Sequence, residues 1–474
     1  MAETAVQAVD RALLAVLPPD ALFAVGGRVR DEQRTAFDGI ERVAKDLDYV
    51  VLGVRLDELV ARLSRAGPTS VVGASFAVVK VALGDVVADV AVPRRERSTG
   101  AGHRDFVVEA GPEVSLEDDL GRRDFRMNML ARAIRSGELI DPYGGVADIR
   151  ASRIDIMSEA AFAEDPLRML RAAQFSARFR FQLTERSFAA MQAAAPLVGT
   201  VSAERCRDEL IKLLAAETPS SGFELLRHSG VLAHILPELL EGVDVAQNEY
   251  HAYDVYQHGL ATLDATPVGD LELRLAGLLH DVGKPRVKDG PHFYGHEYVG
   301  EEMATAALQR LRFANGQTET VARLVRNHMY AAGPELSDAA VRKFIRRVGP
   351  ENLNRQFSLR HADIRGSGLP KRSDENGRFE ARVRALMASA PPLSVRHLAI
   401  SGEDVIGLAV RAGALPAGSR GGPIVGHILS ALLERVMVEP ELNQPATLLS
   451  LAESLLRPPV PRGTNTVKQG MSAE

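Results

Sequence analysis

Two aspartates, Asp46 and Asp48, stand in the run Lys45-Asp46-Leu47-Asp48-Tyr49-Val50-Val51, whose apolar, β-branched part has strand character. Residues two apart on a strand share a face, so both carboxylates are expected to point the same way. Side by side they repel each other. A divalent cation relieves that repulsion, and hard ions such as Mg²⁺ prefer oxygen ligands of this kind. A helix length earlier, Val25-Gly26-Gly27-Arg28-Val29-Arg30-Asp31 follows the short apolar run Leu22 to Val25 and opens a segment of helical character. Glycines at such a turn let backbone N–H groups approach phosphates, and a helix N-terminus favours the anion. A phosphate cradle beside a carboxylate pair points to nucleotidyl transfer. Each piece alone also fits a tight turn or a solvated strand end, but the order of the two is far more specific. In Asp85-Val86-Val87-Ala88-Asp89-Val90-Ala91-Val92 a third carboxylate, Asp89, interrupts an apolar strand. Buried carboxylates are costly unless paired or bound to metal. Asp89 is therefore expected beside Asp46 and Asp48, the plainer alternative being a strand-edge residue facing water.

The order Gly-Gly-x-Val-Arg-Asp, then Asp-x-Asp, resembles the class II tRNA nucleotidyltransferase and poly(A) polymerase family, within the polymerase-β-like nucleotidyltransferases. Later motifs carry the resemblance on. Asp118-Asp119-Leu120-Gly121-Arg122-Arg123-Asp124-Phe125, with Asn128 after it, is similar to the family's arginine motif. Planar guanidinium groups suit triphosphate because they bind its oxygens in pairs. Arg126 and Met129 depart from the family, which usually has Thr and Ala there, so pocket shape and nucleotide preference are expected to feel them. Arg94 to His103 is basic and glycine-rich, resembles the flexible loop of CCA-adding members, and is expected to be mobile. Asp141-Pro142-Tyr143-Gly144-Gly145, then Asp148, is similar to the family's head-to-neck linker.

Phe162-Ala163-Glu164-Asp165-Pro166-Leu167-Arg168-Met169-Leu170-Arg171 bears on specificity. Pro166 suits a first helical turn, which puts Asp165 at the helix start, and Asp165 and Arg168, three apart, are surface neighbours. Cytosine and adenine each set an amino donor next to a ring-nitrogen acceptor, and a carboxylate beside a guanidinium matches that pair. An N-capping Asp with a salt bridge is the plainer reading. In the resembled family such an Asp–Arg pair replaces a nucleic-acid template. The resemblance thus implies Asp46, Asp48 and Asp89 as catalytic residues, with Mg²⁺ held by Asp46 and Asp48. It implies Gly26, Gly27, Arg30, Asp31, Arg123, Asp124, Asn128, Asp165, Arg168 and Arg171 as nucleotide-binding residues, with ATP, CTP and a tRNA 3′ end as partners.

A second constellation lies downstream. The apolar helical run Leu271 to Leu279 ends in His280-Asp281-Val282-Gly283-Lys284, with His258 upstream and Asp363 downstream. This ordered set resembles the HD-type metal phosphohydrolases, which implies a metal site of His258, His280, Asp281 and Asp363. Mixed imidazole and carboxylate ligands suit Mn²⁺, Ni²⁺, Fe²⁺ or Mg²⁺ better than a structural zinc site. His296 and His328 are candidates for a second metal, whereas His251, His292 and His361 read as ordinary histidines.

The elements that must carry these residues follow from pattern and composition. With 474 residues, several domains are expected. Hydrophobic content of 46% and charged content of 25% describe a globular protein, and aromatics at 5% with no Trp argue against a base-stacking platform. One cysteine, Cys206, excludes an intrachain disulfide framework, and with neither a signal-peptide pattern nor a membrane-length apolar run a cytoplasmic setting is expected. At a net charge of −5, nucleic acid must be met by local patches. Arginine clusters at 94–97, 168–180 and 342–347 could supply them. A helix is expected over Ala5 to Leu17, then strands at Tyr49 to Leu52, Phe76 to Ala82 and Val86 to Val92, a helix at Leu56 to Arg65, and almost only helix from Asp155 on.

The fold class is α+β: a polymerase-β-like nucleotidyltransferase head, an all-α neck, an HD-type helical domain and a helical C-terminal tail. The expected boundaries are 1–150 for the head, 151–220 for the nucleotide-selecting neck and 221–375 for the HD domain. A tRNA-binding tail, including weak motifs at 400–407 and 421–426, takes 376–456, and a disordered end takes 457–474. The expected activity is CCA addition by two-metal catalysis with an HD phosphohydrolase beside it. The alternatives are a poly(A) polymerase or a CC-only or A-only enzyme, an HD phosphohydrolase with an RNA-binding head, and a non-catalytic RNA-binding protein.

Overall fold

In the computed structural model, which describes residues 4–42, 46–72, 78–98, 106–370 and 374–456, the chain divides into two compact units. The first comprises residues 1–326 and 361–369, the second 327–360 and 370–474.

The first unit opens with α1 (Ala5–Leu14), capped by Thr4, whose hydroxyl accepts from the Gln7 N–H. Next come β1 (Leu22–Val25), α2 (Gly27–Asp38), β2 (Asp48–Val51), α3 (Leu56–Leu63), β3 (Thr69–Val72), β4 (Val78–Leu83) and β5 (Val86–Ala91). They are followed by β6 (Arg94–Ser98), β7 (Phe106–Ala110), α4 (Leu116–Gly121), β8 (Ala131–Ala133) and β9 (Leu139–Ile140). Seven strands form one sheet in the order β3-β4-β5-β2-β1-β8-β9. β1 lies inside it with all four apolar residues buried, as a strand covered on both faces requires.

β1 and β2 are antiparallel with Leu22 opposite Val51 and Ala24 opposite Tyr49, which brings the end of β1, and Gly26 after it, to the start of β2. β2 and β5 are parallel, with Asp48 opposite Asp89. The strand over β2 begins at Asp48, not before Asp46, although the Asp89 N–H still donates to the Leu47 carbonyl at 2.9 Å. Arg94 to Ser98, expected to belong to a mobile loop, instead pairs as β6 with β7. The rest of that loop, 99–105, and the end from 457 lie outside the described residues.

The helical part begins with α5 (Gly145–Arg150) and α6 (Ala161–Glu164), interrupted by the short β10 (Arg153–Ile154). It continues with α7 (Leu167–Phe179), β11 (Gln182–Leu183), α8 (Glu185–Ala194), α9 (Ala203–Leu214), α10 (Ser220–His228), α11 (Leu232–Ile235) and α12 (Pro237–Leu240). The strand β11, which pairs in parallel with β10, departs from the all-helix expectation. The unit is completed by α13 (Val255–Ala265), α14 (Leu271–Leu279), α15 (His296–Arg310) and α16 (Asn315–Arg326).

Arg274 of α14 is 1% exposed. Its guanidinium donates to the Leu214 and Ala216 carbonyls after α9, and to those of Thr266 (3.4 Å) and Pro267 (3.3 Å) after α13. Helix C-termini leave carbonyls without intrahelical partners, and one buried cation here serves two of them.

The second unit holds α17 (Asp338–Val348), α18 (Leu353–Gly366, whose last residues belong to the first unit), α19 (Glu375–Ala388), α20 (Gly402–Arg411), α21 (Pro423–Val438) and α22 (Pro445–Leu456). Tyr330, Phe344, Phe357 and Phe379 form one of its cores, and α20 to α22 enclose another around Val405, Leu432, Val436 and Leu448. The 342–347 cluster, expected to offer charge to nucleic acid, is in large part structural. Arg342 is buried and donates to the Met437 carbonyl at 2.7 Å, and Lys343 and Arg346 pair with Glu434.

Arg274→Met keeps the bulk and strands the four carbonyls. It is expected to lower stability by about 3 kcal/mol, read as a fall in the urea midpoint.

Candidate active sites

At the first site Gly26 adopts φ +68°, and a Cβ there would stand 2.7 Å from Nη1 of Arg123. Only glycine permits both the conformation and the close approach. Arg123 reaches this place because Asp119, buried at the end of α4, accepts from it at 3.2 Å and from Arg122 at 2.8 Å. Among the described residues the buried Arg123 Nε has no hydrogen-bond partner.

Asp46 is exposed and Asp48 half-buried. Burial pushes the Asp48 carboxyl above its ordinary range, Asp46 and Asp89 reinforce the shift, and Arg123 and Lys80 oppose it. Asp48 thus feels Asp46 and its strand neighbour Asp89 as well as Arg123, and oxygen donors of this kind suit a hard divalent cation. Asp89 does not face water alone, since Lys80 Nζ holds both of its oxygens at 2.9 and 3.0 Å.

Asp124 follows Arg123 in the chain. It accepts from Asn128 Nδ2 at 2.8 Å and pairs with Arg171 of α7 at 2.6 Å. Burial would raise its carboxyl, but Arg171 and Asn128 hold it below the usual range. Asn128 in turn accepts from Arg30 at 2.8 Å. Arg30 is 5% exposed, chelates Asp31, and its guanidinium stands 4.5 Å from the Phe179 ring. Arg30 and Asp31 thus brace the turn from behind.

Asp165 precedes α7 by two residues, as the proline pattern indicated. Arg168 turns its fork to backbone carbonyls, Arg122 at 2.9 Å and Ala161 at 3.3 Å, while the guanidinium nearest Asp165 is that of Arg205, at 3.5 Å. Arg205 and the buried Glu209, which stands 3.6 Å from Arg171, were missed in the sequence. Their signal was the i,i+4 spacing of opposite charges on α9. Arg126 and Met129 do not line this site. Arg126 pairs with Asp148 (2.8 Å) and Asp155 (3.3 Å), and Met129 is fully buried in the core under the sheet.

The second site is built from α13, α14 and the end of α18. The Nε2 atoms of His258 and His280 are 3.1 Å apart. Asp281 Oδ2 lies 3.4 and 3.2 Å from them, and Asp363 Oδ1 lies 3.2 and 3.8 Å away. Behind each ring Nδ1 faces a carbonyl, Gly366 for His258 at 3.1 Å and Gly277 for His280 at 2.9 Å. A donor placed on Nδ1 leaves the Nε2 lone pair facing inward, and two such lone pairs repel unless a proton or cation stands between them. The donor set fits a divalent metal of intermediate hardness.

His296 extends the cluster, its Nε2 3.3 Å from Asp281 Oδ1 and its Nδ1 2.7 Å from the Phe293 carbonyl. His251 corrects the sequence reading. Its Nδ1 lies 3.0 Å from Asn248 Oδ1, and it forms a possible ligand group with His258 and Asp281. Burial, with Lys284 and His258, pushes its imidazole down to about 4, so it stays neutral at ordinary pH. His328 belongs to the second unit. His292 keeps its ordinary reading, stacking on the exposed Tyr294.

Comparison with known proteins bears on both sites. Residues 22–155 match the family described as Poly A polymerase head domain, 180–242 the probable RNA and SrmB-binding site of polymerase A, and 249–364 the HD domain. The chain is 34% identical over 395 residues to the multifunctional CCA protein of Nitrosococcus oceani, which covers 80% of this chain and 93% of that one. The chain belongs to the tRNA nucleotidyltransferase and poly(A) polymerase family. Within this nucleotidyltransferase family it is also 38% identical over 345 residues to the A-adding tRNA nucleotidyltransferase of Deinococcus radiodurans, covering 68% of this chain and 75% of that one. The crystal structure of the Bacillus stearothermophilus CCA-adding enzyme in complex with CTP has the same fold, with a TM-score of 0.65, 24% identity, and coverage of 91% and 92%. Among the described residues no helix is long and apolar enough to cross a membrane.

Two outcomes follow for this nucleotidyltransferase. Gly26→Ala is expected to cost about 1–3 kcal/mol in strain and to displace Arg123. Nucleotide affinity should therefore fall more than the melting temperature alone would explain, as titration calorimetry beside a thermal melt would read. Asp119 and Asp124 both have depressed folded-state values. Their stabilisation is complete above the unfolded carboxylate value of about 4 and is lost as pH falls below it. The urea midpoint should thus fall between pH 5 and pH 3, and Asp124→Asn should flatten that fall.

Proposed function

We propose that this protein is a CCA-adding tRNA nucleotidyltransferase that transfers CMP and AMP from CTP and ATP to the tRNA 3′ end without a template. The observation that carries the reading is the β1–β2–β5 register, which sets Gly26, Arg123, Asp46, Asp48 and Asp89 at one end of the sheet. The multifunctional CCA protein at 34% identity supports it. Residues 1–150 serve as the head, 151–220 as the nucleotide-selecting neck, 221–375 as the HD domain and 376–456 as the tRNA-supporting tail, in a cytoplasmic setting.

Asp46 and Asp48 would hold two Mg²⁺ ions, which neutralise the α-phosphate and leaving pyrophosphate and acidify the primer 3′-hydroxyl. Asp89, restrained by Lys80, completes the acidic group. The Gly26 and Gly27 turn admits the triphosphate, and Arg123 binds its oxygens with the donors that Asp119 leaves unused. Asp124 and Asn128 fix the sugar side and, with Arg171, join head to neck. Arg30 and Asp31 act through Asn128. Asp165 accepts the exocyclic amino group of C or A, and Arg168 supplies the matching donor with an N–H that its two carbonyl contacts leave over, whereas G and U present the opposite polarity.

A second activity is proposed at His258, His280, Asp281 and Asp363, because their Nε2 atoms and carboxylate oxygens come within 3.1–3.8 Å of one another. That site would be a metal-dependent phosphohydrolase, using Mn²⁺, Ni²⁺, Fe²⁺ or Mg²⁺ to polarise a phosphoester.

tRNAs ending before the first C, after C and after CC, incubated with CTP, ATP or both, should grow to CCA and stop. Addition of A to the CC end alone, as the name of the Deinococcus radiodurans relative describes, or a long A ladder would replace this reading by a narrower one. Asp46→Ala with Asp48→Ala should abolish addition and leave phosphatase activity intact, while His280→Ala with Asp281→Ala should do the reverse. Joint loss of both activities in either variant would contradict two separate sites.

A further inference from the structure

Two side chains on one face of α9 reach two residues that the proposed function uses: Asp165, which reads the base, and Arg171, which joins head to neck. Arg205 Nη2 is 3.5 Å from Asp165 Oδ1, and Glu209, one turn later, is 3.6 Å from Arg171. Glu209 is 4% exposed, and its Oε1 is held by Lys212 at 2.9 Å. Its Oε2 has no hydrogen-bond partner among the described residues. A buried carboxylate oxygen without a donor is costly, which suits a side chain poised to take one when Arg171 or the nucleotide shifts.

Asp165 itself is weakly held. Among the described residues its Oδ1 otherwise receives only the Leu167 N–H at 3.3 Å, and Arg168 turns to the Ala161 and Arg122 carbonyls. A carboxylate that can rotate reads an amino group poorly, because selection by hydrogen bonds depends on the acceptor's direction.

We infer that Arg205 is a specificity-determining positioning residue: from α9 it fixes the rotamer of Asp165 so that one oxygen stays aimed at the exocyclic amino group of C or A. The inference deepens the proposed base reading and rests on it. Arg205 touches no reacting atom, and it acts through Asp165. A carbonyl at the same place, as on U or G, meets an acceptor and is refused. Glu209 faces Arg171 from the same helix, so α9 contacts both the base-reading Asp165 and the Arg171 that joins head to neck.

The test compares the wild-type chain with Arg205→Ala, Arg205→Lys and Asp165→Ala, scoring incorporation of CTP, ATP, UTP and GTP on tRNA ending in C and in CC. Arg205→Ala should raise KM for CTP and ATP by about fivefold, the scale of one half-exposed ion pair, while kcat stays nearly constant. Its discrimination against UTP and GTP should fall by a similar factor. Arg205→Lys, which keeps the charge but not the fork, should recover part of both. A thermal melt shared by all four proteins separates this from unfolding. Unchanged KM and discrimination in Arg205→Ala, while Asp165→Ala loses discrimination, would overturn the inference and leave the base reading standing. Full discrimination in Asp165→Ala would overturn both.

Discussion

The ion pair between Asp124 and Arg171 is the constraint on which the first site depends. Asp124 follows the arginine motif of the head, and Arg171 stands on the first long helix of the neck. A carboxylate this deeply buried cannot remain ionised without a cation and hydrogen bonds around it. Arg171, Asn128 and the Phe125 N–H supply them, and Asn128 is itself held by Arg30. Arg30 and Arg34 then lie against Phe179, which stacks on Phe175 of the same helix. Charge, hydrogen bonds and aromatic faces thus converge on one junction, and the glycine turn and the Asp165 turn inherit their relative geometry from it.

Electrostatics explains how a chain of net charge −5 can still leave a cation with spare donors beside the glycine turn. Most of its arginines are committed to internal partners: Arg122 to Asp119, Arg126 to Asp148, Arg310 to Glu238 and Arg346 to Glu434. Arg123 differs because Asp119 is shared with Arg122 and with the Arg94 N–H, so one buried carboxylate orients it without using all of its donors. At the second site the same economy of donors sets the imidazoles. Backbone carbonyls occupy Nδ1 of His258, His280 and His296, and each ring is left with its other nitrogen turned to the carboxylates. Three separate segments must fold before those nitrogens meet.

Local pattern in the sequence was enough for several features. The glycine pair after an apolar run, the strand from Asp48, the Asp165–Pro166 helix start and the helix Leu271–Leu279 ending at His280 and Asp281 were all legible, because each depends on strand character, helix spacing or backbone freedom within a few residues. The resemblance to the family followed from the order of those short signals. What escaped were residues whose meaning lies in a distant partner. His251 read as an ordinary histidine until His258 and Asp281 were set beside it, and Arg205 and Glu209 read as one more charged helix face until α9 met Asp165 and Arg171. Arg126 and Met129 also took their place from partners the sequence does not show, Arg126 from Asp148 and Asp155, Met129 from a core shared with Val25 and Leu120.

The sequence by itself determined which residues could do chemistry, the order of the elements that carry them and the family to which that order is similar. Periodicity and glycine placement act over short chain distances and survive in a linear reading. Only the tertiary structure decided which cations are left with donors to offer, which strand end meets the glycine turn and which histidines face one another. Those outcomes turn on competition among many charged groups for a few buried partners, and that competition is resolved only when distant segments pack together.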